Sequence, residues 1–181
     1  MKFAFQALLG LSLVFAHPAF AAGAAPTGQI AASSPAHVKA VQDLLGVMQV
    51  EKVLGGVAAR SRYQSEAQRR TVLAKVDKVP AAEVYQRMAP PLARVISADT
   101  AIEMSRFYNT PYGKQLIHRR YNSEAQIIMP GMRAAAGVPP EEKKERKRAA
   151  YVQASKELAA AEPAIEHEAF NLLQQINTEK R

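Results

Sequence analysis

Beyond residue 34, apolar residues recur every three or four positions almost to the end of the chain, the period of a helix with one buried face. Ser34-Pro35 opens the first run, with serine as N-cap and proline at the first helical position. Val38, Val41, Leu45 and Met48 form its stripe, and Gly46 is expected to loosen or end it. A second run, Val50, Leu54, Val57 and Ser61, passes into a polar stretch with Arg60, Arg62, Arg69 and Arg70, then Val72, Leu73 and Val76. Pro80 starts another helix, with Glu83 in its first turn and Val84, Met88, Leu92 and Val95 as its stripe. Pro90-Pro91 predicts a kink there, followed by a further turn to Ile96.

Ser97 reads as the next cap, with Asp99 in the first turn. Ala101, Met104 and Tyr108 share a face, flanked by Ile102 and Phe107. Asn109 is expected to leave the helix in a left-handed conformation, and Thr110-Pro111 to start a new one. From there Gly113, Ile117, Tyr121, Ala125, Ile128 and Met132 share one stripe, while Tyr112, Leu116 and Ile127 fall on another side. Gly113 heads the main stripe, where a missing side chain lets another helix backbone come close. Pro130-Gly131 predicts a kink near Gln126 or an end, and Gly137 to Pro140 reads as a loop.

A long final helix is predicted from near Glu141. Ala150, Ala154, Leu158, Ala161, Ile165, Ala169, Leu172 and Ile176 stay in phase across Pro163. Nothing alternates with the period of a strand. The expected fold class is therefore all-α, a helical bundle of about five to seven helices, several short or kinked, in one domain over residues 35–181.

The pattern before residue 35 is of another kind. Lys2 precedes an apolar run from Phe3 to Phe15, too short to span a bilayer comfortably, and Ala19-Phe20-Ala21 supplies the small-x-small pattern of a signal peptidase site. Residues 1–22 read as a signal peptide and 23–34 as a flexible leader. No later stretch is apolar enough to span a membrane, so an exported, soluble mature chain is expected.

Composition sharpens this picture in three places. The 181-residue chain carries a net charge of +8, which draws it weakly toward anionic surfaces. It has no cysteine, which excludes disulfides, cysteine-bound metal and lipid attachment at a cleavage-site cysteine. Phe107, Tyr108, Tyr112 and Tyr121 concentrate the aromatics that lie outside the leader region, so the centre of the core is predicted near them.

Candidate chemistry is sparse. The chain has no Gly-rich phosphate loop, no His-Glu-x-x-His and no Gly-x-Ser-x-Gly, which points away from an enzyme. His118, one turn after Lys114, is the candidate for an unrecognised hydrolase, though a half-buried boundary histidine explains it more simply. Glu162, Glu166, His167 and Glu168 fit a solvated charged face better than a metal site, and no metal or cofactor is expected. Arg119, Arg120 and Gln126 are candidates for lining a groove.

Lys143, Lys144, Arg146, Lys147 and Arg148 form the strongest basic cluster. They are candidates for docking to anionic lipid or another acidic polymer, weighed against a solvated helix face with Glu142 paired to Arg146. Nucleic acid is not an expected partner, since the chain reads as exported and lacks basic and aromatic interleaving.

Phe107-Tyr-Asn-Thr-Pro-Tyr-Gly-Lys114, led by Ser97-Ala-Asp-Thr-Ala-Ile-Glu-Met, resembles the core of the domain of unknown function 2059 family of exported bacterial proteins. Phe107, Tyr108, Thr110, Pro111 and Gly113 carry the match, which extends over residues 81–132. The resemblance implies an all-helical envelope protein, hence a periplasmic location, and implies no chemistry. A non-catalytic binding module is therefore expected, with another envelope protein or a peptide as partner.

Overall fold

A helix ends when its last carbonyls find other partners, and the chain does this more often than its hydrophobic period suggests. A computed structural model describes residues 33–122 and 139–179, all within one compact unit. The expected signal peptide, nearly all of the leader, and the expectations for Ala125, Gln126, Ile127, Ile128, Pro130, Gly131, Met132 and Gly137 lie outside the described residues.

The described residues form eight α-helices and no strand. They are α1 (Pro35–Val47), α2 (Glu51–Arg60), α3 (Glu66–Asp77), α4 (Ala81–Leu92), α5 (Ala98–Tyr108), α6 (Pro111–Asn122), α7 (Pro140–Glu145) and α8 (Ala149–Thr178). The protein is an all-α helical bundle, with more helices than the five to seven expected because two breaks, after Arg60 and after Glu145, lie within apparently continuous patterns.

The expected boundary between α1 and α2 is made at Gln49, whose φ of 54° is the one positive value at a non-glycine position among the described residues. The Gln49 N–H donates to the Gly46 carbonyl and the Val50 N–H to the Leu45 carbonyl, both at 3.1 Å. This is the double hydrogen bond of a Schellman motif, with Gln49 where glycine is usual. The α1 helix thus ends beyond Gly46, at Val47. The first of the two unexpected breaks follows Arg60: Ser61 turns extended, the Tyr63 hydroxyl donates to the Ala58 carbonyl at 2.7 Å, and Ser65 caps α3 through the Gln68 N–H at 3.1 Å.

The second divides the expected final helix. Residues 146–148 form a turn between α7 and α8, so the long helix begins at Ala149 and not near Glu141. Ala150 is consequently exposed, whereas Ala154, Leu158, Ala161, Ile165, Ala169, Leu172 and Ile176 are buried as the phase predicts. Pro163 lies inside a continuous α8.

Two other local expectations change. Pro90 and Pro91 sit in the last turn of α4, where few helical bonds remain to lose, and the chain passes through turns to Ile96. Ile96 is buried and Val95 is half exposed, reversing their expected roles. Asn109 stays right-handed, with φ −79° and ψ −11°, because its N–H and side-chain amide both donate to the Ser105 carbonyl, at 3.1 and 2.9 Å.

The α8 helix runs through the bundle and packs on α2, α3, α4 and α5, while α1 covers α4 and α5. Val41, Leu44, Leu45, Met88, Leu92, Ala101, Phe107 and Leu173 are among the buried side chains between them. Phe107 belongs to this core, and Ile102 does not. No described helix is long and apolar enough to cross a membrane.

Candidate functional site: an aromatic corner beneath a short helix

The corner begins with a firmly anchored α5. Ser97 Oγ accepts the Thr100 N–H at 3.2 Å. The Glu157 carboxylate, from α8, accepts the Ser97 N–H at 2.6 Å and the Thr100 hydroxyl at 2.9 Å. A carboxylate over these free N–H groups also complements the positive end of the helix. Burial works against the charge on Glu157, but the hydrogen bonds from Ser97 and Thr100 outweigh it and hold the carboxyl below its ordinary range. His37 ties α1 to the same end, its Nε2 donating to the Ile96 carbonyl at 2.7 Å.

At the far end of α5, Phe107 lies among three rings. The centroids of Tyr151, Tyr108 and Tyr112 are 4.7, 5.4 and 6.2 Å away, all at inclined or edge-on angles. Thr110 then makes the turn. Its hydroxyl donates to the Phe107 carbonyl at 2.7 Å and accepts the Gly113 N–H at 3.0 Å. Its own carbonyl accepts the Lys114 N–H at 2.9 Å. One side chain thus closes α5 and caps α6.

Gly113 has the close neighbour that its position suggested, and that neighbour is the end of α5. A Cβ on Gly113 would lie 2.6 Å from Tyr108 Cα and 2.9 Å from the Phe107 carbonyl carbon. Tyr112 turns inward and is buried, and Ile117 is buried one turn further on.

Over this corner lies α7, held by buried polar contacts. The Tyr112 hydroxyl donates to Glu142, the one buried acidic side chain among the described residues. Arg146 donates to the other oxygen of the same carboxylate. The Tyr112 bond, chiefly, holds the Glu142 carboxyl below its ordinary range against the opposing effect of burial, with help from Arg146 and Arg119. Burial raises the Tyr112 hydroxyl, and the bond to Glu142 raises it further.

A second set of charges closes the edge. Arg106 reaches Glu103 at 2.8 Å and Glu145 at 2.6 Å, while Arg148 reaches the same two acids at 2.8 and 2.9 Å. The four side chains alternate in sign around a ring that joins α5, α7 and the start of α8. Both acids are largely covered. The basic run is thereby divided. Arg146 and Arg148 are engaged within the fold, whereas Lys143, Lys144 and Lys147 are exposed and form no ion pair among the described residues.

Between corner and α7 is a cleft of about 260 Å³. Phe107, Pro111 and Tyr112 supply its apolar wall, and Glu141, Lys144 and Glu145 its charged rim. Of the residues singled out in the motif, Phe107, Thr110 and Pro111 line it, Gly113 permits its geometry and Tyr108 packs behind. Sequence reasoning did not place Glu103, Glu142 or Glu145 here. The four-residue spacing of Glu142 and Arg146 was the one available signal.

The other candidates lie elsewhere. His118 is on an exposed face of α6 and does not line this cleft. No three acidic or histidine side chains among the described residues are grouped to hold a metal. Glu162 pairs with Arg120 at 3.1 Å beside a separate cleft of about 270 Å³ that also includes Met48, Ile165 and Glu166. Arg119, expected beside Arg120, approaches Tyr112 and Glu142 instead. No family model matches the chain, and no curated protein or solved structure matches it.

Proposed function

We propose that this is an exported, non-catalytic binding protein of the cell envelope that receives a short peptide segment of another protein in the aromatic corner cleft. The observation that carries this reading is the pairing of a fixed aromatic wall with a rim of both charge signs, Glu141, Lys144 and Glu145 over Phe107 and Tyr112. Apolar walls with a few placed polar groups suit a ligand that buries a side chain and aligns its own charges. The cleft is held open by bonds within the fold, so binding requires little ordering of the site. The signal-like residues 1–22 and the resemblance to the domain of unknown function 2059 family support export.

A photo-crosslinker placed at Glu141 in cells tests the reading. It should yield discrete protein adducts that disappear with Lys144→Glu, while the same probe at exposed Lys156 on α8 yields none of them. Identical adducts from both positions, or none from Glu141, would contradict it.

A second reading, attachment to anionic lipid, rests on the exposed Lys143, Lys144 and Lys147. Engagement of Arg146 and Arg148 by acids within the fold leaves it the weaker of the two. Flotation with anionic vesicles at low salt, reversed by added salt, is its signature.

A further inference from the structure

We propose that the cleft between the α2–α3 connection and the end of α8 is a binding site for a carboxylate-bearing saccharide. This cleft, about 340 Å³, shares no residue with the aromatic corner cleft. Its floor includes the buried side chains Val72 and Leu173. Two aromatic rings stand at its walls, Tyr63 and Phe170. Phe170 is 44% exposed, although it lies on a helix whose other large apolar residues are mostly buried. An aromatic face left open beside a concave site offers a stacking surface to a flat C–H face, which a sugar ring presents.

The polar lining fits the edge of such a ring. Gln68, Gln174 and Asn177 line the cleft, and each carries a side-chain amide with donor and acceptor groups for hydroxyls. Gln68 has a fixed orientation, because its Oε1 already accepts the Gln64 N–H at 2.8 Å.

Charge selects the class of saccharide. Arg62 lines the cleft, no carboxylate does, and Arg62 forms no ion pair among the described residues. Its guanidinium offers a planar pair of donors that matches a carboxylate. The two clefts differ accordingly: the corner carries both signs on its rim, and this one carries a single positive group. A peptide ending in an apolar residue shares the carboxylate and the flat side chain but does not need three amides.

The test titrates isotope-labelled full-length protein with trigalacturonate and follows the amide and side-chain NMR signals. Saturable shifts are expected at Arg62, Tyr63, Gln68, Phe170 and Asn177, and they should weaken as salt is added. Arg62→Ala and Phe170→Ala should each weaken binding at least about tenfold. Both side chains are exposed, so the thermal midpoint should stay at its original value and separate lost binding from lost folding. Maltotriose binding as tightly as trigalacturonate would overturn the role of Arg62. Shifts at these residues with acetyl-Ala-Ala-Phe but not with trigalacturonate would overturn the saccharide, as would no saturable shift with trigalacturonate at millimolar concentration.

Discussion

The Tyr112 hydroxyl donates to the Glu142 carboxylate across 30 residues of sequence and joins the first turn of α6 to the middle of α7. Both partners are buried, so the bond is worth more as a constraint than a surface contact would be. Tyr112→Phe keeps the ring against Phe107 and removes only the donor. It should lower stability by about 1–3 kcal/mol, because Glu142 then stays buried with one partner fewer. Hydrogen exchange should show faster opening of α7, with α1 and α4 unaffected at low denaturant.

Acid should weaken the fold through two carboxylates. Glu142 and Glu157 are both held below the ordinary glutamate range, the first chiefly by Tyr112, the second by Ser97 and Thr100 against burial. Their contribution is complete above the value of the unfolded chain, about 4.3, and is lost as pH falls from there through the folded values. The urea midpoint should therefore drop steeply on acidification, and Glu142→Gln or Glu157→Gln should flatten that dependence.

Alkali acts through the tyrosines, with the opposite sign. Burial pushes up Tyr85, Tyr108, Tyr112, Tyr121 and Tyr151, and takes Tyr108 to about 12. The folded state therefore prefers neutral phenols. This stabilisation is full below about pH 10, the unfolded value, and is lost as pH rises through the folded values. Phenolate absorbance should rise late in the native protein and promptly in urea.

Gln49 offers a substitution that should improve the protein. Its φ of 54° closes α1 where an L side chain is strained, and its Oε1 is buried without a hydrogen-bond partner. Gln49→Gly removes both penalties and should raise stability by about 1 kcal/mol. An unchanged urea midpoint would show that the Schellman turn carries no strain.

The caps at Ser34, Ser97 and Thr110 were legible because capping is local: a hydroxyl, the next few N–H groups and a proline or acid decide it. The steady phase of α8 from Ala154 to Ile176 was legible for the same reason, since one face of one helix suffices. Gln49 was not, because nothing in a glutamine side chain favours a left-handed turn, and the surrounding core imposes it. Asn109 shows the reverse: its general tolerance of left-handed backbone suggested an exit that its own bonds to Ser105 override. The acids of the candidate site were hidden for a tertiary reason. Glu103, Glu142 and Glu145 sit among exposed-looking charges, and only the meeting of α5, α7 and α8 makes them ligands for Tyr112, Arg106 and Arg148.

The motif from Phe107 to Lys114 is a corner, closed because Gly113 has no side chain. The most direct test compares urea unfolding of Gly113→Ala with that of Gly55→Ala, a helical glycine whose added Cβ meets nothing within 4 Å. Ala at 113 runs into the backbone of Phe107 and Tyr108 and should cost about 3 kcal/mol. Ala at 55 should stabilise by about 0.5–1 kcal/mol, as removal of a glycine from a helix interior does. If both substitutions shift the midpoint in the same stabilising direction, α5 and α6 do not meet at Gly113 and the corner is wrong.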